Sequence, residues 1–547
     1  MDFQTLRKNL SIMVTRGYSS GSILCGINYF LVLAFWFLTG NVFSQSISLK
    51  IDTDKNMQTI DGFGASDAWR CQFVGANWPQ HKKERMAKWL FSKDFDTDGN
   101  PLGIGISLWR FYIGAGTAEQ GDTSQIRNEW RRAESFIDNN ETYDWSKQAG
   151  QQWFLKKAKA AGVEKFLAFS IAVPTFWSNT GTGYNKANKK FLNLKEEHYQ
   201  DYADFMVEIL DHFENEGIAF DYLSPINEPQ WDWQKPSQEG TPATNENIAK
   251  LVGMLNDGIE NKSLATEIVI PEAADLRFLY SNHGRAPRAN QIESFFGESF
   301  KDDKSYVGNY AKVPRKVSGH SYFTTWPVDS LISIRKELNK SLGKHQIDFW
   351  QSEFCILENT EDIGKGQKRD LGIKTALYVA RVIHADLTLA NAKSWQWWTA
   401  ITIADFKDGL IYLDTGDKNN MYNKESLKYD GEFHDSKLLW ALGNYSRFVR
   451  PGMVRVPSVL LTEKSLKEQY LDVLVSAYKN PKNNQIVLVA INYSDEEKSI
   501  DLENENITIE KSYTTSEDKN LGFEAVENQK IYLQPRSITT LVGAINP

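Results

Sequence analysis

Three cysteines in 547 residues are too few for a disulfide framework. Cys25 sits in an apolar N-terminal stretch, and Cys71 and Cys355 follow different predicted strands, so free buried thiols are expected. The eight histidines show no HExxH or other ligand spacing, so no metal site and no cofactor are expected. Positive charge is also short. Lys and Arg total 62 against 70 Asp and Glu, a net −8, which argues against nucleic acid as a partner. Beyond residue 44 no apolar run is long enough to span a bilayer. No internal repeat, low-complexity linker or complete phosphate-binding glycine loop is visible.

Aromatic side chains are plentiful: 17 Trp, 22 Tyr and 30 Phe. Sugars present flat C–H faces that stack on such rings, although large cores use aromatics too. The length predicts at least two domains unless one is a large α/β barrel.

Residues 1–44 read as a secretory signal peptide. Arg7, Lys8 and Arg16 supply its charge, residues 23–38 its apolar core, and Val42-Phe43-Ser44 a cleavage site before Gln45. An uncleaved membrane anchor is the alternative, and Asn28 and the short apolar length weigh against it. Met13 is a second candidate start. The expected location is secreted or periplasmic, with no membrane span after cleavage and the protein a monomer.

From residue 59 to 431 strands alternate with helices. Apolar strands are predicted at 60–67, 105–111, 165–170, 221–228, 267–271, 316–322, 347–354 and 392–398. Between them, Tyr199, Tyr202, Phe205, Met206, Ile209, Leu210 and Phe213 mark one helix face that stops at Gly217, and 371–389 is another helix. The class is α/β, a (β/α)8 barrel with long inserted loops. Residues 432–547 change to short alternating strands, with 472–478 and 485–491 flanking the turn 479–484, and no helical run is expected there. They predict an all-β sandwich, to which the alternating segment 45–58 adds a strand.

In such a barrel chemistry sits at the C-terminal strand ends. The fourth strand runs into Asn227-Glu228-Pro229, and the seventh carries Glu353 near its end. Two carboxylates so placed suit glycosidic bond cleavage, one as nucleophile and one as acid and then base. Glu228 is assigned as acid/base, with the Asn227 amide beside it placed for the sugar 2-OH, and Glu353 as nucleophile.

On these motifs the chain resembles glycoside hydrolase family 30, over nearly the whole length after the leader. Asp61-Gly62-Phe63-Gly64 with Asp67 resembles the family's first strand, where the Asp holds sugar hydroxyls. Arg110 resembles the Arg that pairs with the nucleophile and keeps it ionised. His320 and Tyr322 match a His-x-Tyr that supports the nucleophile and lines the sugar site, and Trp398 matches an aromatic under the sugar. Each has a plainer reading: Asp67 as a helix cap, Arg110 as a structural ion pair, His320 as a core histidine. Trp395, Trp397 and Trp398 point to different faces by strand alternation, so at least one is barrel packing.

The stretches 109–121 and 129–134 resemble the endo-β-1,6-galactanase-like branch. Where that branch carries an Asn-Ser-Pro-Pro-like turn after the third strand, this chain has Ile171-Ala172-Val173-Pro174, an apolar replacement expected beside the sugar. The resemblance implies a secreted retaining hydrolase acting on a β-linked oligo- or polysaccharide, in first place a β-1,6-galactan. An exo-acting β-glucosidase or β-fucosidase, a β-1,6-glucanase, and a non-catalytic carbohydrate-binding protein are the alternatives.

Overall fold

Strands buried on both faces need apolar or hydrogen-bonded side chains at every position, not at alternate ones. Phe166-Leu167-Ala168-Phe169-Ser170 and Leu108-Trp109-Arg110-Phe111-Tyr112-Ile113 meet that demand, and every one of these residues is buried. The computed structural model describes residues 46–546, so the expected signal peptide lies outside the described residues. After an N-terminal strand β1 (Ser46–Ile51), the barrel strands are β2 (Gly62–Ser66), β3 (Leu108–Ile113), β4 (Lys165–Ser170), β5 (Tyr222–Ser224), β6 (Glu267–Ile268), β7 (Ile270–Ala273), β8 (Lys316–His320), β9 (Asp348–Glu353) and β10 (Ser394–Trp397).

All neighbours in this sheet pair in parallel, in the order β6-β5-β4-β3-β2-β10-β9-β8-β7. β6 and β7 are one strand position interrupted at Val269, so the sheet forms a nearly closed barrel of eight positions. β2 can lie against β3 because its glycines lack Cβ atoms. A Cβ at Gly64 would stand 2.5 Å from the Leu108 carbonyl oxygen. The helix Tyr199–Asn215 buries the whole predicted face, and Gly217 follows at φ +85°. Each large apolar side chain on that face contributes about 1.5–3 kcal/mol by leaving water.

The C-terminal region forms a six-stranded sheet facing a four-stranded one. The predicted hairpin is Val473–Lys479 against Gln485–Asn492. β1 joins the smaller sheet, antiparallel to Ser458–Leu461 and parallel to Lys498–Leu502. Leu49 and Ile51 from β1 enter the core between the sheets with Val475, Leu488 and Ile500.

One expectation fails here. A helix, Lys437–Ser446, follows residue 432, capped by the Ser436 hydroxyl accepting from Leu439 N. All its residues from Leu438 to Ser446 are buried, so no polar face gives it a helical period in the sequence. Its Tyr445 ring meets Phe63 of β2 at 5.8 Å. On the other side Asn444 Nδ2 donates to Tyr513 O and Thr540 Oγ1, each at 3.0 Å. One helix thus ties the barrel to the β-sheets. A small three-stranded sheet, Thr399–Thr402, Gly409–Asp414 and Glu432–Asp435, is a further addition after β10.

Candidate active site

β5 ends at Ser224, so Glu228 stands four residues beyond the strand rather than on it. Its backbone has φ +48°, a left-handed conformation that costs energy for a residue with a side chain. Neighbours hold it there. Glu228 N donates to Glu272 O at 2.9 Å, and Glu228 O accepts from Trp231 N at 3.1 Å and Trp233 Nε1 at 3.2 Å. Glu353 is the last residue of β9. Arg110 Nη1 donates to its Oε2 at 3.1 Å, and the Tyr322 hydroxyl to its Oε1 at 3.0 Å. Arg110 is fully buried and its guanidinium lies 4.2 Å from the Phe169 ring.

His320 joins the two sides. Nδ1 lies 2.9 Å from Glu228 Oε1 and 3.7 Å from Glu353 Oε1, so the histidine expected to support the nucleophile is hydrogen-bonded to the other glutamate. Nε2 lies 2.9 Å from Glu272 Oε2. Glu272 is a site residue the sequence reading missed. It is fully buried, and its Oε2 also receives Ser352 Oγ at 2.6 Å and Arg110 Nη2 at 3.5 Å, while Oε1 meets no partner.

Charge follows from these contacts. Burial works against a protonated His320, but Glu353 and the bonds to Glu228 and Glu272 raise it to about 10, so both ring nitrogens donate. Burial would raise Glu272, yet Arg110, His320 and Ser352 outweigh it and hold the carboxyl at about 2. Burial raises Glu228 above the usual carboxylate range, and the neighbouring Glu353 and Glu272 add to that against His320. Burial likewise pushes the Tyr322 phenol well up, so it remains a donor.

Glu228, His320 and Glu353 each offer one ligand atom within 4.8 Å of the others. As it stands, the set is a hydrogen-bonded network: His320 Nδ1 meets Glu228, and Arg110 meets Glu353.

The two glutamates open into a cavity of about 390 Å³. Asn227, Tyr322 and Trp398 line it, and the Asn227 Oδ1 has no hydrogen-bond partner among the described residues. Trp395 and Trp397 are fully buried elsewhere, with Nε1 bonded to Asp386 and to Asp408 O respectively. Trp69 stands edge-on to Trp398 with ring centroids at 5.3 Å, and Trp231, Trp233 and Phe323 supply more of the aromatic wall. Asp67 is not brought to the cavity. It is fully buried, its Oδ1 accepts from Tyr112 N at 2.9 Å, and Trp69 two residues on takes the wall position. The turn from Ile171 to Pro174 is buried and does not line the cavity either. A larger hollow near the helices Gln80–Phe91 and Ala149–Ala160 shares no lining residue with this cavity. Cys71 and Cys355 are free and buried. No helix among the described residues is long and apolar enough to cross a membrane.

A family model described as O-glycosyl hydrolase family 30 matches residues 46–412. The chain belongs to glycoside hydrolase family 30. Among solved structures this hydrolase is similar to a conserved exported protein from Bacteroides fragilis. The two are 38% identical with a TM-score of 0.85, over 90% of this chain and 100% of that one. An endo-β-1,6-galactanase of Hypocrea rufa is 23% identical over 428 residues, 74% of this chain and 75% of the relative. The catalytic domain of a family-30 xylanase C from Talaromyces cellulolyticus shares the fold at 20% identity and TM-score 0.63, covering 91% of this chain and all of that one.

Proposed function

We propose that this family-30 hydrolase is an exported retaining endo-β-1,6-galactanase. The observation that carries the mechanism is the spacing of Glu228 and Glu353, which place one oxygen each within 4.8 Å. Retaining glycosidases hold their carboxyls about 5–5.5 Å apart, whereas inverting ones leave about 6.5–9.5 Å for a water. Glu353, oriented by Arg110 and Tyr322, attacks the anomeric carbon. Glu228 gives its proton to the leaving oxygen, and the glycosyl ester forms on Glu353. Glu228, now ionised, takes a proton from water, which attacks the same carbon and frees the nucleophile. Asn227 faces the cavity with an amide oxygen that has no partner among the described residues and is placed for a sugar hydroxyl, while Trp398, packed edge-on against the buried Trp69, is the aromatic available to the sugar. The preference for galactan rests on the galactanase relative, and export on the N-terminal sequence and the exported relative.

Azide separates the two glutamates. On an aryl glycoside with an acidic phenol, Glu228→Ala should still form the glycosyl-enzyme, stall, and be rescued by azide to a β-glycosyl azide. Glu353→Ala should give the α-glycosyl azide or no product. Reversed stereochemistry would exchange the roles, and two active variants would move the site elsewhere. Product analysis on β-1,6-galactan, β-1,6-glucan and glucuronoxylan tests the sugar. Release of galacto-oligosaccharides from the first alone is expected, and glucan cleavage would replace that assignment.

A further inference from the structure

Five ionisable groups form one buried cluster, of which Glu228 and Glu353 line the cavity: Arg110 from β3, Glu228 beyond β5, Glu272 on β7, His320 on β8 and Glu353 on β9. None is more than 7% exposed. Tyr322 donates to Glu353 and touches Cys355, and Cys355, Arg131 and Asp408 line the cavity with the two glutamates. A buried cluster is costly unless its charges cancel. Two cations can balance two of the three carboxylates, so one carboxylate must keep its proton. Which one is decided by who holds the cations. Glu272 engages both: Oε2 meets His320 Nε2 at 2.9 Å and Arg110 Nη2 at 3.5 Å, and Ser352 Oγ donates to the same oxygen at 2.6 Å. Its carbonyl oxygen also fixes Glu228 through the amide N–H at 2.9 Å.

We propose that Glu272 is the permanent counter-ion of the site: it takes up positive charge from Arg110 and His320, and Glu228 therefore keeps the proton it needs as an acid. Glu272 is a positioning residue and touches no substrate. The inference rests on Glu228 being the acid/base. Without the Glu272 charge, Arg110 and His320 would balance Glu228 and Glu353, and both would ionise.

The test is the pH profile of kcat/KM on an aryl glycoside with a poor leaving group, whose alkaline limb reports loss of the Glu228 proton. Glu272→Gln removes a negative charge, so that limb should move to lower pH by about one unit or more. Activity at pH 8 should then fall at least about tenfold further than activity at pH 5. Glu272→Asp keeps the charge and should keep the limb in place, even if kcat falls. The double variant Glu272→Gln/His320→Gln removes one charge of each sign, so it should fold where the single variant fails, and its limb should return towards the wild-type position. A role in packing alone predicts no such return. An unmoved limb in Glu272→Gln, or a double variant no closer to wild type, overturns the proposal; so would a Glu272 that carries its own proton on the bare Oε1. Failure of azide to rescue Glu228→Ala would instead remove the acid/base assignment, whatever the limb does.

Discussion

Two residues apart on β3, Arg110 and Tyr112 each reach a fully buried glutamate, and the two glutamates behave in opposite ways. Glu272 meets a guanidinium and an imidazolium, which hold it at about 2 against the effect of burial. Glu239 meets no cation among the described residues. The hydroxyls of Thr117 and Tyr112 and the Ala115 N–H surround it, and these only partly offset burial, which leaves it at about 7. The lesson is quantitative. Several neutral donors can surround a buried carboxylate without offsetting burial, whereas opposite charge at low dielectric can. Of the two buried glutamates reached from β3, one is held low by opposite charge and the other is pushed up by burial.

Removing the cation from the first region should have the largest effect. Arg110→Met leaves Glu272 and Glu353 sharing His320 alone. Breaking a buried ion pair on one side costs about 3–5 kcal/mol, and we expect that loss in urea unfolding of the variant. Activity should fall by about 10²–10³, as when a charge-stabilising donor is deleted from an active site. Near-normal kcat/KM would show that Glu353 does not depend on Arg110, whatever their 3.1 Å contact.

The second prediction uses pH and has opposite signs in the two regions. Glu272 lies below the ordinary 4.5, so its contribution is present above that value and is lost as the pH falls through about 2. Glu239 lies above 4.5, so the folded state binds its proton more tightly than the unfolded chain does. Stability from this group is full below pH 4.5 and declines as the pH rises through about 7, a total change of about 3 kcal/mol. Glu239→Gln cannot ionise. It should match wild type within about 1 kcal/mol at pH 5 and exceed it at pH 8, measured by chemical denaturation. Equal differences at both pH values would show that Glu239 does not titrate in this range.

The sequence carried the catalytic region unevenly, and the reasons are local. Glu228 and Glu353 each close an apolar run, where a lone carboxyl is conspicuous, whereas Arg110 and Tyr322 stood out only through the family resemblance. Glu272 stands in Ile270-Pro271-Glu272, which reads as a strand stopped by proline, and nothing marks the carboxyl as inward-facing. Glu239 lies in a loop with no period at all. For Asp67 the resemblance supplied a sugar-binding expectation, and no pattern in the sequence shows that its Oδ1 accepts from the Tyr112 amide. Trp398 was separable from Trp395 and Trp397 by alternation, since those two stack at 6.2 Å on one side of β10. The helix Lys437–Ser446 was invisible because it is buried between two bodies of structure and has no polar stripe.

The smallest expected effect tests whether the two regions are independent. Tyr112→Phe deletes one donor to Glu239 and keeps the ring, which stands edge-on to Trp69 at 6.3 Å and tilted against Phe169 at 5.3 Å. Below pH 5 Glu239 is protonated and the lost bond is neutral, so the cost should be about 0.5–1.5 kcal/mol. At pH 8 the carboxylate is ionised and the same bond is charge-assisted, so the cost should rise to about 1.5–3 kcal/mol. Removing the donor also pushes Glu239 further up, which moves the midpoint of the pH dependence to higher values. The alkaline limb of kcat/KM should stay where it is, because the Tyr112 hydroxyl bonds to Glu239 and not to Glu228, Glu272 or His320. A limb that moved with Tyr112→Phe as it is expected to move with Glu272→Gln would mean that charge is shared along β3. The locked and the titrating carboxylates would then be parts of one network.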